Sequence, residues 1–188
     1  MRQGIEKMET TGRHFGRYFS PDSALQYLGF ARSHPLNVKQ NQFLTQSDKT
    51  LTEIDNITPK KAWHILQTQS ESVLVDVRTQ AEWALVGLPD LASIGRPLVK
   101  IEWQIAPQMQ LNPNFITTLE QTVTDKSVSV LFLCRSGARS AAAAQAAKMA
   151  GYKQAFNIQN GFEGERNADG QRGQLNGWKV AQLPWRQN

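Results

Sequence analysis

The stretch SVLFLCRSGARSAAAAQAAKMAG, Ser129 to Gly151, decides how this chain is read. An apolar run of β-forming residues ends on Cys134, the only cysteine of the 188 residues. A run this short and this apolar suits a strand buried on both faces. The alanines that follow suit a helix, and Gly151 suits its C-terminal stop. By itself a cysteine closing a core strand behaves as a small hydrophobe. The residues after it add chemistry.

In a parallel α/β sheet, ligands bind beyond the carboxyl ends of the strands. Cys134 falls at such an end, and CRSGARS leads straight into the helix. Gly137 permits a tight curl in which successive backbone N–H groups point inward as an anion-binding nest. The helix contributes its positive N-terminal end, and Arg135 and Arg139 contribute full charge. All three effects favour a thiolate over a thiol. No histidine lies in the motif to act as a base, so a Cys–His protease arrangement does not fit. Alanines at 141–144, 146 and 147 make a slim helix that can lie close to the sheet.

Strand and helix patterns alternate on either side. TPKKAWHILQTQ opens with Thr58 as N-cap and Pro59 at the first helical position, with Ala62, Ile65 and Leu66 on one face. SVLVDV is a buried strand, TQAEWALVG a short helix stopped near Gly87, and PLVKIEW another strand. NPNFITTLEQTV reads as a helix capped by Asn112 with Pro113 at its start, and QAFNI as a fourth strand. The expectation is one α/β domain over 57–188 with a mostly parallel sheet flanked by helices. Trp178 and Trp185 are expected to pack the Gly-rich tail onto that domain. Residues 1–56 read as an N-terminal extension and linker, partly ordered: SPDSALQYLGFA suits a short helix, and the stretch up to Asn56 is rich in Asn, Gln, Ser and Thr.

Composition narrows the classes further. A hydrophobic fraction of 40% with 20% charged residues suits a soluble globular protein. One cysteine excludes an internal disulfide framework and a cysteine-built metal site, and three scattered histidines show no ligand spacing. The net charge of +5 is spread without a basic block, so nucleic-acid binding is not signalled. No run of about 18 apolar residues offers a membrane span, and the opening residues lack the apolar core of a secretory signal. The expected location is cytoplasmic.

Taken together, LVDVRTQAEW, VLFLCRSGARSAAAAQAAKMAGY, NIQNGFEGE and the closing GW and LPW resemble a single-domain rhodanese, a sulfurtransferase, over about residues 57–186. The resemblance implies a rhodanese-like three-layer α/β fold and no bound cofactor. It implies that Cys134 is the catalytic residue and carries sulfane sulfur as a persulfide. A donor such as thiosulfate would supply that sulfur, and cyanide or a thiol would accept it. Arg135, Ser136, Gly137, Ala138, Arg139 and Ser140 would cradle the persulfide and the anionic donor. Asp76 and Arg78 would brace the loop, and Glu82 and Trp83 would serve packing and capping. The small anionic donor is the expected partner, and a protein sulfur donor or acceptor is the alternative, with the domain as a relay or binding module.

A phosphatase or arsenate reductase on the same scaffold is the third reading. Related dual-specificity phosphatases use a Cys-x5-Arg loop, whereas Cys134 to Arg139 spans Cys-x4-Arg. The shorter cradle suits a sulfur atom better than the oxygens of a phosphate. One departure from the rhodanese pattern is GLPDLASIG, where Leu88 stands in place of the usual histidine.

Overall fold

The computed structural model describes residues 54–187. The helix expected within residues 20–31 and the rest of the extension up to residue 53 lie outside them. In chain order the described residues form β1 (Asp55–Ile57), α1 (Pro59–Thr68), β2 (Val73–Asp76), α2 (Gln80–Val86) and β3 (Leu88–Pro89). A 3-10 turn (Ala92–Ile94) leads to β4 (Leu98–Lys100), β5 (Gln104–Ile105), β6 (Gln110–Leu111) and α3 (Phe115–Thr122). Then come β7 (Ser129–Leu133), α4 (Ala138–Met149), β8 (Gln154–Ile158) and β9 (Trp185–Arg186).

The main sheet has the order β1-β8-β7-β2-β4, and all four pairings are parallel. β7 lies at its centre and all five of its residues are buried, as its unbroken apolar run requires. One face of the sheet, Val75, Val130, Phe132 and Ala155, packs on α3 and α4. The other face, Leu74, Leu131, Leu133 and Ile158, packs on α1 and on Phe162, Trp178 and Leu183 of the tail. The result is the three-layer α/β architecture expected from the alternating pattern. Ala143, Ala144 and Ala147 are fully buried, so α4 presents only methyl groups at these positions to the sheet side chains it packs on.

Local signals explain most boundaries. Thr58 Oγ1 accepts from Lys61 N–H at 3.2 Å and caps α1. Gly87, at φ +100°, stops α2, and Gly151, at φ +96°, follows α4. The cap of α3 differs from expectation. Asn112 Oδ1 accepts from Asn114 N–H at 3.0 Å, its Nδ2 donates to Glu102 O at 2.9 Å, and the helix starts at Phe115. Asn112 therefore builds a turn before the helix, and its side chain is spent there. β1 begins two residues inside the stretch read as linker. As an edge strand with Asp55 and Asn56 exposed, it has no apolar pattern to betray it. Among the described residues, no helix is long and apolar enough to cross a membrane.

The tail closes over the second face. Trp178 is fully buried, stands edge-on to Trp63 with ring centroids 5.9 Å apart, and donates its indole N–H to Pro184 O at 2.9 Å. Trp185 is 40% exposed and lies in β9, which pairs antiparallel with β3. Trp178→Ala is expected to destabilise the protein by about 3–5 kcal/mol, since it empties a large site and strands a carbonyl. The urea unfolding midpoint checks this, and a change below about 1 kcal/mol would show that the tail is not part of the cooperative unit.

Candidate active site

Two central strands, β2 and β7, end side by side at the carboxyl end of the sheet. Asp76, the last residue of β2, sits opposite Leu133, the last residue of β7, and Val77 N–H donates to Leu133 O at 2.8 Å. Cys134 therefore emerges beside the Asp76–Arg78 turn. The chain curls through residues 134–137 and enters α4 at Ala138. Gly137 makes this possible: its φ is +105°, a region that other residues adopt only under strain.

The curl aims polar groups at the sulfur. Gly137 N–H lies 3.1 Å from Cys134 Sγ, and Ser140 Oγ lies 3.2 Å from it on the first turn of α4. Ser140 is fully buried. Outward of the sulfur is a pocket of about 430 Å³, lined by Thr79, Glu82, Gln104, Met109, Cys134, Arg135, Ser136, Ala138 and Arg139. The structure thus brings every expected loop residue to one place, in two roles. Arg135, Ser136, Ala138 and Arg139 face the pocket, while Gly137 and Ser140 contact the sulfur itself.

The two arginines of the loop are not equivalent. Arg139 Nη1 and Nη2 reach Glu82 Oε2 and Oε1 at 2.8 and 2.6 Å, a paired fork with both side chains mostly buried. Glu82 also accepts from Thr79 N–H at 2.9 Å and from Thr79 Oγ1 at 3.0 Å, which completes a capping box at the start of α2. Burial opposes the charge on Glu82, but the hydrogen bonds from Arg139 and Thr79 and the charge of Arg139 outweigh it. The carboxyl falls from its usual 4.5 to about 2. Arg135 is exposed and makes no ion pair among the described residues. Its guanidinium faces the pocket as an exposed positive charge. The capping role expected of Glu82 is present; its grip on Arg139 joins residues 57 positions apart and left no local trace in the sequence.

Asp76 and Arg78 are both fully buried and paired. Arg78 Nε and Nη2 reach Asp76 Oδ1 and Oδ2 at 2.9 and 2.6 Å. Nη2 also donates to Gly87 O at 2.8 Å, and the guanidinium lies 4.1 Å from the Phe162 ring centroid. Phe162 N–H in turn donates to Cys134 O at 2.7 Å. Arg135 O accepts from Glu163 N–H at 2.9 Å and Gly164 N–H at 3.2 Å. The tail therefore holds the outer carbonyls of the loop while α4 shapes its inner side.

Several site residues escaped the sequence reading. Gln104 and Met109 belong to the β5–β6 hairpin, whose two-residue strands carry no periodicity. Phe162 was visible only as one aromatic in a Gly-rich stretch. Asn157 had a signal: it is the polar residue in the buried half of β8. Leu88, which stands where the resemblance leads one to expect histidine, is buried in β3 and does not line the Cys134 pocket. Among the described residues, no group of three or more His, Cys, Asp or Glu side chains could hold a metal ion.

Glu82 ties the site to acid stability. Its carboxyl is depressed in the folded state, so its contribution is complete above the unfolded value near 4.5. That contribution is lost as pH falls through about 2. Glu82→Gln keeps the capping geometry but removes the titration and the charge on Arg139's partner. The variant should lose about 1–3 kcal/mol at neutral pH, and the gap to the parent should close between pH 5 and pH 2 in urea melts. A gap that stays constant across that range would dissociate the pair from acid stability.

Comparison with known proteins agrees with this architecture. Residues 54–188 match the family model of the STR4 middle domain. The crystal structure of Rv0390 from M. tuberculosis superposes with a TM-score of 0.66 at 46% identity, covering 71% of this chain and 98% of that one. Uncharacterized protein RP600 of Rickettsia prowazekii is 38% identical over 133 residues, 70% of this chain and 97% of that protein. Rhodanese-like domain-containing protein 4, chloroplastic, of Arabidopsis thaliana is 26% identical over 127 residues, 67% of this chain and 24% of that protein. With most of its length matched in this way, the chain belongs to the STR4 middle domain family and has the rhodanese-like fold.

Proposed function

We propose that the protein is a sulfurtransferase that carries sulfane sulfur on Cys134. The observation that carries this reading is the setting of one thiol. It lies at the end of a central parallel strand, at the floor of a pocket, with the Gly137 N–H and the Ser140 hydroxyl on its sulfur and a 12-residue helix pointing its N-terminus at it. The likeness to a rhodanese-like domain protein supports the same class.

The chemistry balances without an outside oxidant. The Cys134 thiolate attacks the outer sulfur of a donor such as thiosulfate. A new S–S bond forms at Sγ, the donor's S–S bond breaks, and the electron pair leaves with sulfite. An acceptor then attacks the outer sulfur of the persulfide. Cyanide leaves as thiocyanate or a thiol leaves as its own persulfide, and Sγ recovers its electron pair. Arg135 and the loop N–H groups meet the anionic donor, while Arg139 is held by Glu82 and shapes the wall.

A second reading, transfer to or from a protein-borne sulfur, draws support from the rim. Ile105, Met109 and Leu111 of the β5–β6 hairpin are 42%, 40% and 53% exposed, and Met109 lines the pocket. Such an apolar edge beside the thiol suits contact with a macromolecule.

Intact mass spectrometry tests both. After thiosulfate the parent protein should gain one sulfur atom, Cys134→Ser should gain none, and cyanide should remove the gain. Loading by a cysteine desulfurase persulfide but not by thiosulfate would select the second reading. Sulfur gain on Cys134→Ser, or no gain from either donor, would overturn the sulfur-carrier assignment.

A further inference from the structure

A line of polar side chains runs from the thiol to the edge of the sheet. Ser140 Oγ lies 3.2 Å from Cys134 Sγ, 3.0 Å from Gly137 O and 2.7 Å from Asn157 Oδ1. Asn157 Nδ2 donates to Asn56 Oδ1 at 2.7 Å. Asn157 is 4% exposed in β8, whereas Asn56 is exposed in β1. A buried amide inside an apolar sheet demands a use for its polar atoms, and here one end of it meets the hydroxyl that touches the sulfur.

Ser140 owns one proton. With the Asn157 oxygen turned towards it, the hydroxyl donates there. It then has only lone pairs to offer the sulfur, an arrangement that suits S–H. With the Asn157 amide turned by half a rotation, its NH2 donates to Ser140. The hydroxyl proton is then free for a sulfur anion, a stronger acceptor than the neighbouring Gly137 carbonyl. The two amide orientations have nearly the same shape, so the turn needs no repacking. Asn56, at the surface, can turn in step and keep the bond between the two amides.

We infer that Asn157 is a positioning residue that controls, through Ser140, whether the Cys134 sulfur is held as a thiol or as an anion. No proton travels along the line. The thiol proton leaves through the pocket, Ser140 keeps its own, and only the direction of its O–H changes. The charged groups at this end of the sheet are Arg135 and Arg139 of the loop and α4, Glu82 of α2, Asp76 at the end of β2 with Arg78 after it, Lys100 at the end of β4, and Glu163 and Lys179 of the tail; β8 contributes none. The inference rests on the sulfur-carrier reading for its purpose, but its hydrogen bonds concern the thiol alone.

Because Cys134 is the only cysteine, the rate of iodoacetamide alkylation reports on it directly. Asn157→Asp is nearly isosteric but only accepts, which ties the Ser140 proton away from the sulfur. It should slow alkylation at pH 7 by about tenfold or more and move the rate profile to higher pH. Asn157→Ala removes the competing acceptor and should stay within about threefold of the parent. In a Ser140→Ala background the part of the Asp effect that the hydroxyl carries is lost, so the effect should shrink by about threefold or more, and what remains is direct repulsion between the new carboxylate and the sulfur anion. Urea melts of each variant identify any that are merely unfolded. Equal profiles for the Asp and Ala variants, or an Asp effect undiminished without Ser140, would overturn the inference. This outcome is separate from sulfur loading. A protein that shows the alkylation pattern yet never gains sulfur keeps the positioning role of Asn157 and loses the carrier function, and the converse result does the reverse.

Discussion

The site end of this molecule depends on one guanidinium from which water is excluded. A buried charge survives only if it is paired and hydrogen-bonded. Arg78 is paired through Nε and Nη2, while its buried Nη1 has no hydrogen-bond partner among the described residues, and groups from three parts of the fold hold it: the Asp76 carboxylate on the same turn, the Gly87 carbonyl that ends α2, and the face of Phe162 in the tail. Breaking any of these contacts leaves the charge exposed to an apolar interior. The ion pair is therefore weak evidence for stability in itself and strong evidence for geometry. It makes the end of β2, the end of α2 and the start of the tail take one mutual arrangement.

That arrangement reaches the thiol through backbone alone. Phe162, fixed under Arg78, holds the Cys134 carbonyl, and its two successors hold the Arg135 carbonyl. Gly161 makes the close approach possible. It sits at φ +53°, and a Cβ there would run into the carbonyl groups of Cys134 and Arg135. With its outer carbonyls tied down, the loop turns the Gly137 N–H the other way, towards the sulfur. The loop's polarity thus follows from the tail as well as from α4. Side chains then finish the pocket, with Glu82 settling Arg139 into the wall and the hairpin residues Gln104 and Met109 closing the far side.

The central strands, the alanine-rich helix and the position of the thiol were legible because burial on both faces and helix propensity write themselves into consecutive residues. Thr58 and Gly87 were legible because caps are local chemistry. What stayed hidden was what distance and exposure conceal. β1 is polar because it is an exposed edge, so it read as linker. Asn112 looked like a cap, yet its amide is spent on Asn114 and on Glu102 across the hairpin's base. The Arg139–Glu82 fork and the Asn157–Asn56 contact join residues 57 and 101 positions apart, and no window along the chain contains both partners. Arg78 was expected to brace the loop, but the aromatic face that receives it belongs to a segment with no regular pattern.

The strand order has a consequence for how the chain acquires its site. Every pairing in the main sheet is parallel, so each joins segments separated by a crossover, and β1 finds its partner only after β8 exists. Folds dominated by such distant pairings gain their contacts late and fold slowly. The loop around Cys134 is local in sequence, but its curl is stabilised by Phe162, Glu163 and Gly164, which dock after β8 has been laid down. A partly folded chain can therefore hold α4 as a helix and still lack the curl around Cys134. The curl and one face of the core share the same tail, and an opening that lifts Phe162 from the sheet takes the outer hydrogen bonds of the loop with it.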